Sequence, residues 1–327
     1  MATIQDVAKH AHVGVATVSR VLNGTGYVRE ETRVKVLSAI AELNYTPNEM
    51  AKNLFRSRTG IVAVIVPDTS HPFFAEFVNA AEHALSHRGY QTMVCNAWHE
   101  AASELHCLEM LKQKRVDGVI FGAHSLDTHL YQSTDRPIVA LDRNLGPNIP
   151  CVAVDHRIGG QIAAEVLIQA GCKKVLQFGG DQSITSPSNL RHSEFERIMQ
   201  EHGIPCFRVV PPWSADHFGL NLATAREALD RFPDVDGVFG TDIIAMSTLL
   251  AARERGIRVP EDLKVVAYDG TGIVKLAQPS LTTIVQPITQ LAQECVRLIV
   301  ERIEGRETEH YVELKAVLHP GQSTGNP

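Results

Sequence analysis

No stretch of the sequence approaches the roughly 18 consecutive apolar residues that a membrane helix needs, and the opening MATIQDVAKH has no apolar core of the kind a secretory signal carries. A cytoplasmic protein without membrane contact is the expectation. Cysteine is scarce: the six, at 95, 107, 151, 172, 206 and 295, never fall into CxxC spacing, which argues against a zinc site or redox motif and fits reduced, mostly buried thiols. The motifs of α/β catalysts are missing as well. There is no GxxxxGKS/T phosphate loop, no GxSxG elbow and no HExxH, and FGGD is too short for a dinucleotide fingerprint. An enzyme is therefore not expected, nor a metal, nor a cofactor. The tail after Glu304, ending GQSTGNP, offers no leucine heptads for a tetramer-forming coiled coil.

What is present is an ordinary globular composition, 44% apolar and 21% charged over 327 residues, long enough for two domains. The formal net charge of -6 is unevenly spread. Residues 1–60 hold eight Lys and Arg against five Asp and Glu, leaving 23 against 32 for the rest. A basic head on an acidic body is a hint of nucleic-acid contact by the head.

In the head, Thr3 followed by Asp6 has the form of a capping box, opening a helix with Ile4, Val7, Ala8 and Ala11 at helical spacing. His12 to Gly14 breaks the pattern, and a second helix offers Val15, Val18, Val21 and Leu22 as core candidates before it ends near Asn23-Gly24. Two short helices across a Gly-containing turn form a helix-turn-helix pattern, whose second helix presents its N-terminal part to base edges. Val15 and Ala16 suit contact with a thymine methyl, and Arg20 suits guanine O6 and N7. Thr17 and Ser19 supply hydroxyls for phosphates. EETRVKVLSAIAELNY reads as a third helix with an apolar stripe of Val34, Leu37, Ile40, Ala41 and Leu43. After Pro47, Asn48 can cap a short helix that carries Leu54 and Phe55, and Arg56 to Gly60 reads as a linker.

The run TIQDVAKHAHVGVATVSRVLN, with GYVREETR and LNYTPNEMAKNLFRSRTG, closely resembles the head of the LacI/GalR family of bacterial transcription regulators. The resemblance implies paired hinge helices in the minor groove, with Leu54 as an apolar wedge that unstacks and kinks the central step. It completes a DNA-facing set of Val15, Ala16, Thr17, Ser19, Arg20, Asn23, Tyr45 and Leu54. Arg29 departs from a position where the family often has a capping serine.

From Ile61 the pattern changes to short apolar runs alternating with amphipathic segments. IVAVIVPD, YQTMVCNA, VDGVIFGA, PIVALDR, CVAVDH, KVLQFGG, FRVVPP, DGVFGTD and KVVAYDG read as buried parallel strands. Nine or more strands exceed one comfortable open sheet, so the fold class is α/β, with a small all-α head and a body of two doubly wound lobes. The expected domains are 1–46 for DNA binding, 47–59 for hinge and linker, and 60–327 for effector binding and dimerisation. Within the last, the N-lobe takes about 60–158 plus a C-terminal return segment, and the C-lobe about 159–285 plus the chain end.

Ligands on such sheets bind beyond the strand C-termini. That rule selects His71, Phe73 and Phe74; Asp142 and Arg143; Asn189 and Arg191; Trp213; Thr241 and Asp242; Asp269; and Gln286. Aromatic faces with carboxylates, guanidinium groups and amides are what a sugar requires. The body resembles the sugar-responsive LacI/GalR regulators and the periplasmic sugar-binding proteins of the same two-lobed fold, so the resemblance covers the whole chain. In its ribose-type members Phe73, Phe74, Asp142, Arg143, Arg191, Asp269 and Gln286 match the pocket, while His71, Thr241 and Trp213 depart from it. Those departures favour a sucrose-type or related sugar over ribose. The function implied is repression of a carbohydrate-utilisation operon by a homodimer on a palindromic operator, released by a small sugar. The alternatives are a sugar-binding protein without regulatory DNA binding, and a regulator that uses the sugar as corepressor.

Overall fold

In the computed structural model, residues 2–45, 58–97, 101–122, 130–131, 136–180, 186–212 and 217–325 are described. They fall into two units, 1–59 and 60–327. Leu54 and Trp213, both expected at sites, lie outside the described residues.

The first unit encloses a small core of Val7, Ala8, Ala11, Val18, Val21, Val36 and Ala39. Helix α1 (Ile4–His10) opens on the capping box: the Asp6 N–H donates to Thr3 Oγ1 at 3.3 Å, and the Thr3 N–H donates to the Asp6 carboxylate at 2.9 Å. The left-handed residue of the turn is His12, at φ 53°, and Gly14 instead sits in extended backbone as the N-cap of α2 (Val15–Asn23). Gly24, at φ 63°, closes α2 and brings the Thr25 N–H to the Arg20 carbonyl at 3.1 Å. Helix α3 (Glu30–Glu42) begins at Arg29, whose side chain makes no capping hydrogen bond.

The expected stripe on α3 is wrong by about one residue. Val36 and Ala39 are buried and Ile40 and Leu43 half-buried, whereas Val34 and Leu37 are 57% and 51% exposed and Ala41 also faces outward. Apolar residues recur at helical spacing on two neighbouring faces of this segment. Contact with α1 and α2 decides which face is buried. Val15, named both as core and as a base-contacting residue, is exposed at 42%.

In the second unit, β1 (Ile61–Val66), α4 (Pro72–Ser86), β2 (Gln91–Asn96), α5 (Ala101–Lys112), β3 (Gly118–Phe121), β4 (Ile138–Leu141) and β5 (Cys151–Val154) build the first lobe. The second lobe holds α6 (His156–Gln169), β6 (Val175–Phe178), α7 (Leu190–Glu201), β7 (Cys206–Val209), α8 (His217–Arg231), β8 (Gly237–Thr241), α9 (Asp242–Glu254), β9 (Lys264–Asp269) and β10 (Thr282–Val285). Helix α10 (Ile288–Ile303) then returns to pack on α4 and on β3 to β5 of the first lobe. Strand β11 (Tyr311–Leu314) joins the first sheet, and β12 (Val317–His319) joins the second.

Each sheet has six strands, ordered β11-β5-β4-β3-β1-β2 and β12-β10-β9-β8-β6-β7. All pairings are parallel except β12 on β10. The two orders superpose strand for strand, so β4 and β9 occupy equivalent places. The pleat of β1 sends Val62, Val64 and Val66 to the core under α4 and α10, and Ala63 and Ile65 to the opposite core with Phe121 and Tyr131. Tyr131 and Phe121 meet edge to face at 5.0 Å, and the Tyr131 hydroxyl donates to the buried Glu104 carboxylate.

Two of the strands expected to be buried on both faces, β2 and β7, are sheet edges and only partly covered. The sequence reading passed over β11 and β12 as strands, because they are half-exposed and exposed and show no buried apolar run. The chain crosses between the lobes at Asp155, at Gln286-Pro287 and at Lys315-Ala316. Residues beside these crossings can sense both lobes.

Candidate ligand and DNA sites

A cavity of about 210 Å³ opens between the lobes at the C-terminal ends of the parallel strands. Pro67, His71, Phe73, Phe74, Gly122, Leu141 and Asp142 line it from the first lobe, and Ser186, Ser188, Arg191, Thr241 and Asp269 from the second, with Gln286 at a crossing. Eight residues expected from the sequence are therefore brought together: His71, Phe73, Phe74, Asp142, Arg191, Thr241, Asp269 and Gln286.

His71 occupies the N-cap position of α4 without a side-chain capping bond, Pro72 at the first turn fixes the backbone, and the His71 ring lies 5.5 Å from that of Phe74. Phe73 meets Phe74 edge to face at 5.2 Å. Both aspartates sit in left-handed backbone at equivalent strand ends, Asp142 at φ 52° after β4 and Asp269 at φ 108° ending β9. Such conformations cost non-glycine residues about 1–3 kcal/mol and concentrate at functional sites. Here they turn a carboxylate from each lobe toward the same space.

The two carboxylates differ electrostatically. Burial alone would raise the Asp142 pKa, but the facing His156, the Val154 N–H and the Arg191 charge hold it below its ordinary value. His156 Nε2 lies 3.0 Å from Asp142 Oδ1, and its Nδ1 lies 2.8 Å from the Tyr268 hydroxyl. Asp142, His156 and Tyr268 thus form a hydrogen-bonded chain from one lobe to the other. Asp269 is pushed up to about 6 by burial, with Asp142 adding repulsion against the pull of Arg191, Gln286 and His156. It accepts from Gln286 Nε2 at 2.7 Å. The other amide atom of Gln286, the buried Oε1, has no hydrogen-bond partner among the described residues and can take a donor from a ligand.

Arg191 carries its guanidinium 4.4 Å above the Tyr268 ring. Ser186 donates to the Asp142 carbonyl at 3.3 Å and shares a hydrogen bond with Ser188 at 2.8 Å, bridging the lobes. The sequence reading missed both serines. They stand in the SPSNLR segment, from which only Asn189 and Arg191 were selected, because serines beside a proline read as ordinary turn residues. A second bridge runs from the Gly272 N–H to Glu76 Oε1 at 2.6 Å.

Three expected residues do not line the cavity. Asp242 is 1% exposed and turned to the loop after β9, accepting from the Thr271 N–H at 2.6 Å, the Thr271 hydroxyl at 2.7 Å and the Thr283 hydroxyl at 3.3 Å. It starts α9, so its carboxylate is drawn to local donors instead of the cleft; burial and Asp269 raise its pKa to about 7. Arg143 is half-buried beside Tyr131 and Glu104, one residue beyond the left-handed turn that aims Asp142 inward. Asn189 ends a short 3-10 turn, and its Oδ1 lies so close to Gly180 that a Cβ there would meet it at 2.7 Å.

In the head, Val15, Ala16 and Arg20 are exposed along α2, and Thr17 and Ser19 are half-exposed. Asn23 is the last residue of that helix. Tyr45 is half-buried and packs on the head core, which ties it more to the three-helix fold than to an open face. Among the described residues no group of three or more His, Cys, Asp or Glu is placed to hold a metal ion.

Residues 3–48 match the family model of bacterial regulatory proteins, lacI family, and residues 164–324 match a periplasmic binding protein-like domain. The chain is 39% identical over 313 residues to the ribose operon repressor of Halalkalibacterium halodurans, covering 95% of this chain and 93% of that one. The chain belongs to the lacI family. This lacI-family chain is also 34% identical over 329 residues to the sucrose operon repressor of Streptococcus mutans, covering 99% of each. Its structure matches that of the Lac repressor dimer bound to operator and the anti-inducer ONPF, with a TM-score of 0.87, 26% identity and 99% of each chain covered. As a lacI-family protein it is a DNA-binding transcription regulator and not an enzyme. Among its described residues no helix is long and apolar enough to cross a membrane.

Proposed function

We propose that the protein represses a carbohydrate-utilisation operon in the cytoplasm, and that a small sugar in the cleft between the lobes releases it from DNA. The carrying observation is the cleft itself: a carboxylate from each lobe, the Arg191 guanidinium of the second, an orphan buried amide oxygen at a crossing and two phenylalanine rings of the first lobe converge on one cavity. Carboxylates and Gln286 Oε1 accept from sugar hydroxyls, Arg191 donates, and Phe74 offers a face to ring C–H groups. A sucrose-type or related sugar is favoured over ribose by His71 and Thr241, which stand where ribose-type relatives carry asparagine, and by Trp213.

On the DNA side, Val15, Ala16 and Arg20 read base edges, while Thr17 and Ser19 anchor phosphates. The acidic body dimerises and sets two heads about 34–36 Å apart on a near-palindromic operator. Each head alone, with eight cationic against five anionic residues in its first 60 positions, binds weakly, and pairing raises the effective concentration of the second. Sugar acts by favouring one arrangement of the lobes, which requires different affinities for the two states.

The test is fluorescence anisotropy with operator DNA against a panel of pentoses, hexoses and disaccharides. One sugar should weaken the complex about ten-fold or more, and Arg191→Ala should remove that response while leaving DNA binding intact. A panel without effect would overturn the switch. A sugar that tightened the complex would convert the inducer into a corepressor.

A further inference from the structure

Arg191 is the one arginine or lysine among the described residues that line the cleft. Its orientation is set from behind by a buried polar chain that does not itself touch the cavity. The Arg191 Nε–H points at His192 Nε2, 3.3 Å away. His192 Nδ1 lies 3.2 Å from Gln177 Oε1, Gln177 Nε2 donates to Glu196 Oε1 at 2.8 Å, and Arg208 Nη1 donates to the same carboxylate oxygen at 3.3 Å. His192 and Gln177 are 2% and 0% exposed.

The chemistry leaves one consistent arrangement of protons. A carboxylate only accepts, so Glu196 fixes the Gln177 amide with its NH₂ toward Glu196 and its carbonyl toward His192. That carbonyl obliges His192 to carry its proton on Nδ1. The remaining lone pair, on Nε2, faces the Arg191 Nε–H. From Arg191 to Glu196 every donor points the same way, so each bond polarises the next.

We infer that His192, held as its Nδ1–H tautomer by Gln177 and Glu196, is the positioning residue that aims Arg191 into the ligand cleft. With Nε–H engaged by His192, and the guanidinium carbon 4.4 Å from the centre of the Tyr268 ring with a hydrogen bond to that tyrosine, the remaining N–H donors of the terminal NH₂ groups are what Arg191 offers a ligand. A fork fixed at two points loses less freedom on binding than a free one. A second proton on His192 would place a donor against the Arg191 donor and break the chain. Burial, followed by the charges of Arg191, Arg208 and His156, holds the His192 pKa well below its ordinary value. The charged and titratable groups that face it are Arg191 on α7, Arg208 on β7 and His156 at the start of α6, with Glu196 on α7 reached through Gln177 and the Phe239 ring 6.1 Å away on β8.

The inference rests on the cleft being the effector site, and the test separates the two. Calorimetric titration of the full-length protein with the sugar panel comes first. Binding by the wild type, with His192→Leu weakening it about ten-fold or more and His192→Gln, which keeps an acceptor near the Nε2 position, restoring it to within about three-fold, supports the inference. Equal affinity in wild type and His192→Leu overturns it while leaving the effector site standing. A glutamine variant as weak as the leucine one overturns the acceptor role. Absence of sugar binding in the wild type removes both. Imidazole ¹⁵N shifts supply a readout that simple packing would not produce: His192 should show a protonated Nδ1 and a bare Nε2 from pH 8 to 6. A protonated Nε2 overturns the inference even if the leucine variant fails to fold.

Discussion

Asp142 and Asp269 are equivalent residues of two similar sheets, yet their surroundings drive their acidities apart. Asp142 faces a histidine and a backbone N–H and is held down, whereas Asp269 is pushed up to about 6 by burial and by Asp142 itself. A folded-state pKa above the ordinary 3.8 means that Asp269 contributes stability below that pH and loses it as pH rises through about 6. At neutral pH the charge is a standing cost. Asp269→Asn, whose carbonyl still accepts from Gln286 Nε2, should therefore raise Tm at pH 7 by a few degrees, about 2–4 °C for each kcal/mol recovered. Between pH 4 and pH 6 the variant should also lose the share of the stability change that Asp269 supplies. Thermal melts of both proteins across that range check it. Sugar response should fall in the same variant, since a stabilising change that weakens binding is what a strained functional carboxylate produces. A variant that is destabilised at pH 7 would show that Asp269 is structural.

At the scale of elements, the site depends on how closely α6 meets the first turn of α7. A Cβ on Gly160 of α6 would stand 2.2 Å from the Arg191 carbonyl oxygen, a contact with rigid backbone that must displace one helix. Gly160→Ala should cost about 1–3 kcal/mol in urea unfolding and weaken sugar binding by shifting Arg191 and His192, with operator affinity in the absence of sugar retained. Unchanged unfolding and unchanged sugar affinity would remove α6 from the positioning of the site. In the proposed hinge helix, Leu54→Ala should weaken specific DNA binding and reduce bending in a circular-permutation gel assay, because an apolar wedge is lost from the central base step. Equal bending would end that role for Leu54.

These elements also show what could be read in advance. Asp142, Thr241, Asp269 and Gln286 were legible because parallel strands deliver their C-terminal residues to one edge, whatever the loops do. Asp242 was misplaced because it follows Thr241 by one residue and the start of α9 rotates it inward to Thr271 and Thr283. Ser186 and Ser188 went unseen because serines flanking Pro187 read as ordinary turn residues, and only the fold brings them against Asp142. The stripe of α3 was misjudged because only contact with α1 and α2 distinguishes its two apolar faces. His192 carries no sequence signal at all; its meaning comes from Gln177 and Glu196, 15 residues before it and four after.

For the whole molecule, the proposed switch couples a cleft in residues 60–327 to a basic head in residues 1–59. Coupling of this kind is a free energy shared by both ligands. If sugar weakens operator binding by some factor, operator DNA must weaken sugar binding by the same factor, and a typical coupling of about 1–3 kcal/mol makes that factor 5 to 150. Titrating the sugar calorimetrically against free protein and against the preformed operator complex gives one factor, and anisotropy with and without saturating sugar gives the other. Salt must be held constant throughout, because phosphate contacts make DNA affinity fall steeply with ionic strength while sugar binding has no such term. Agreement of the two factors is the expected outcome. If instead the preformed operator complex took up no sugar at all and the loss of DNA affinity grew without limit as sugar was raised, the two ligands would exclude one another, sugar would be acting at the DNA-binding surface, and the cleft between the lobes would have no part in release.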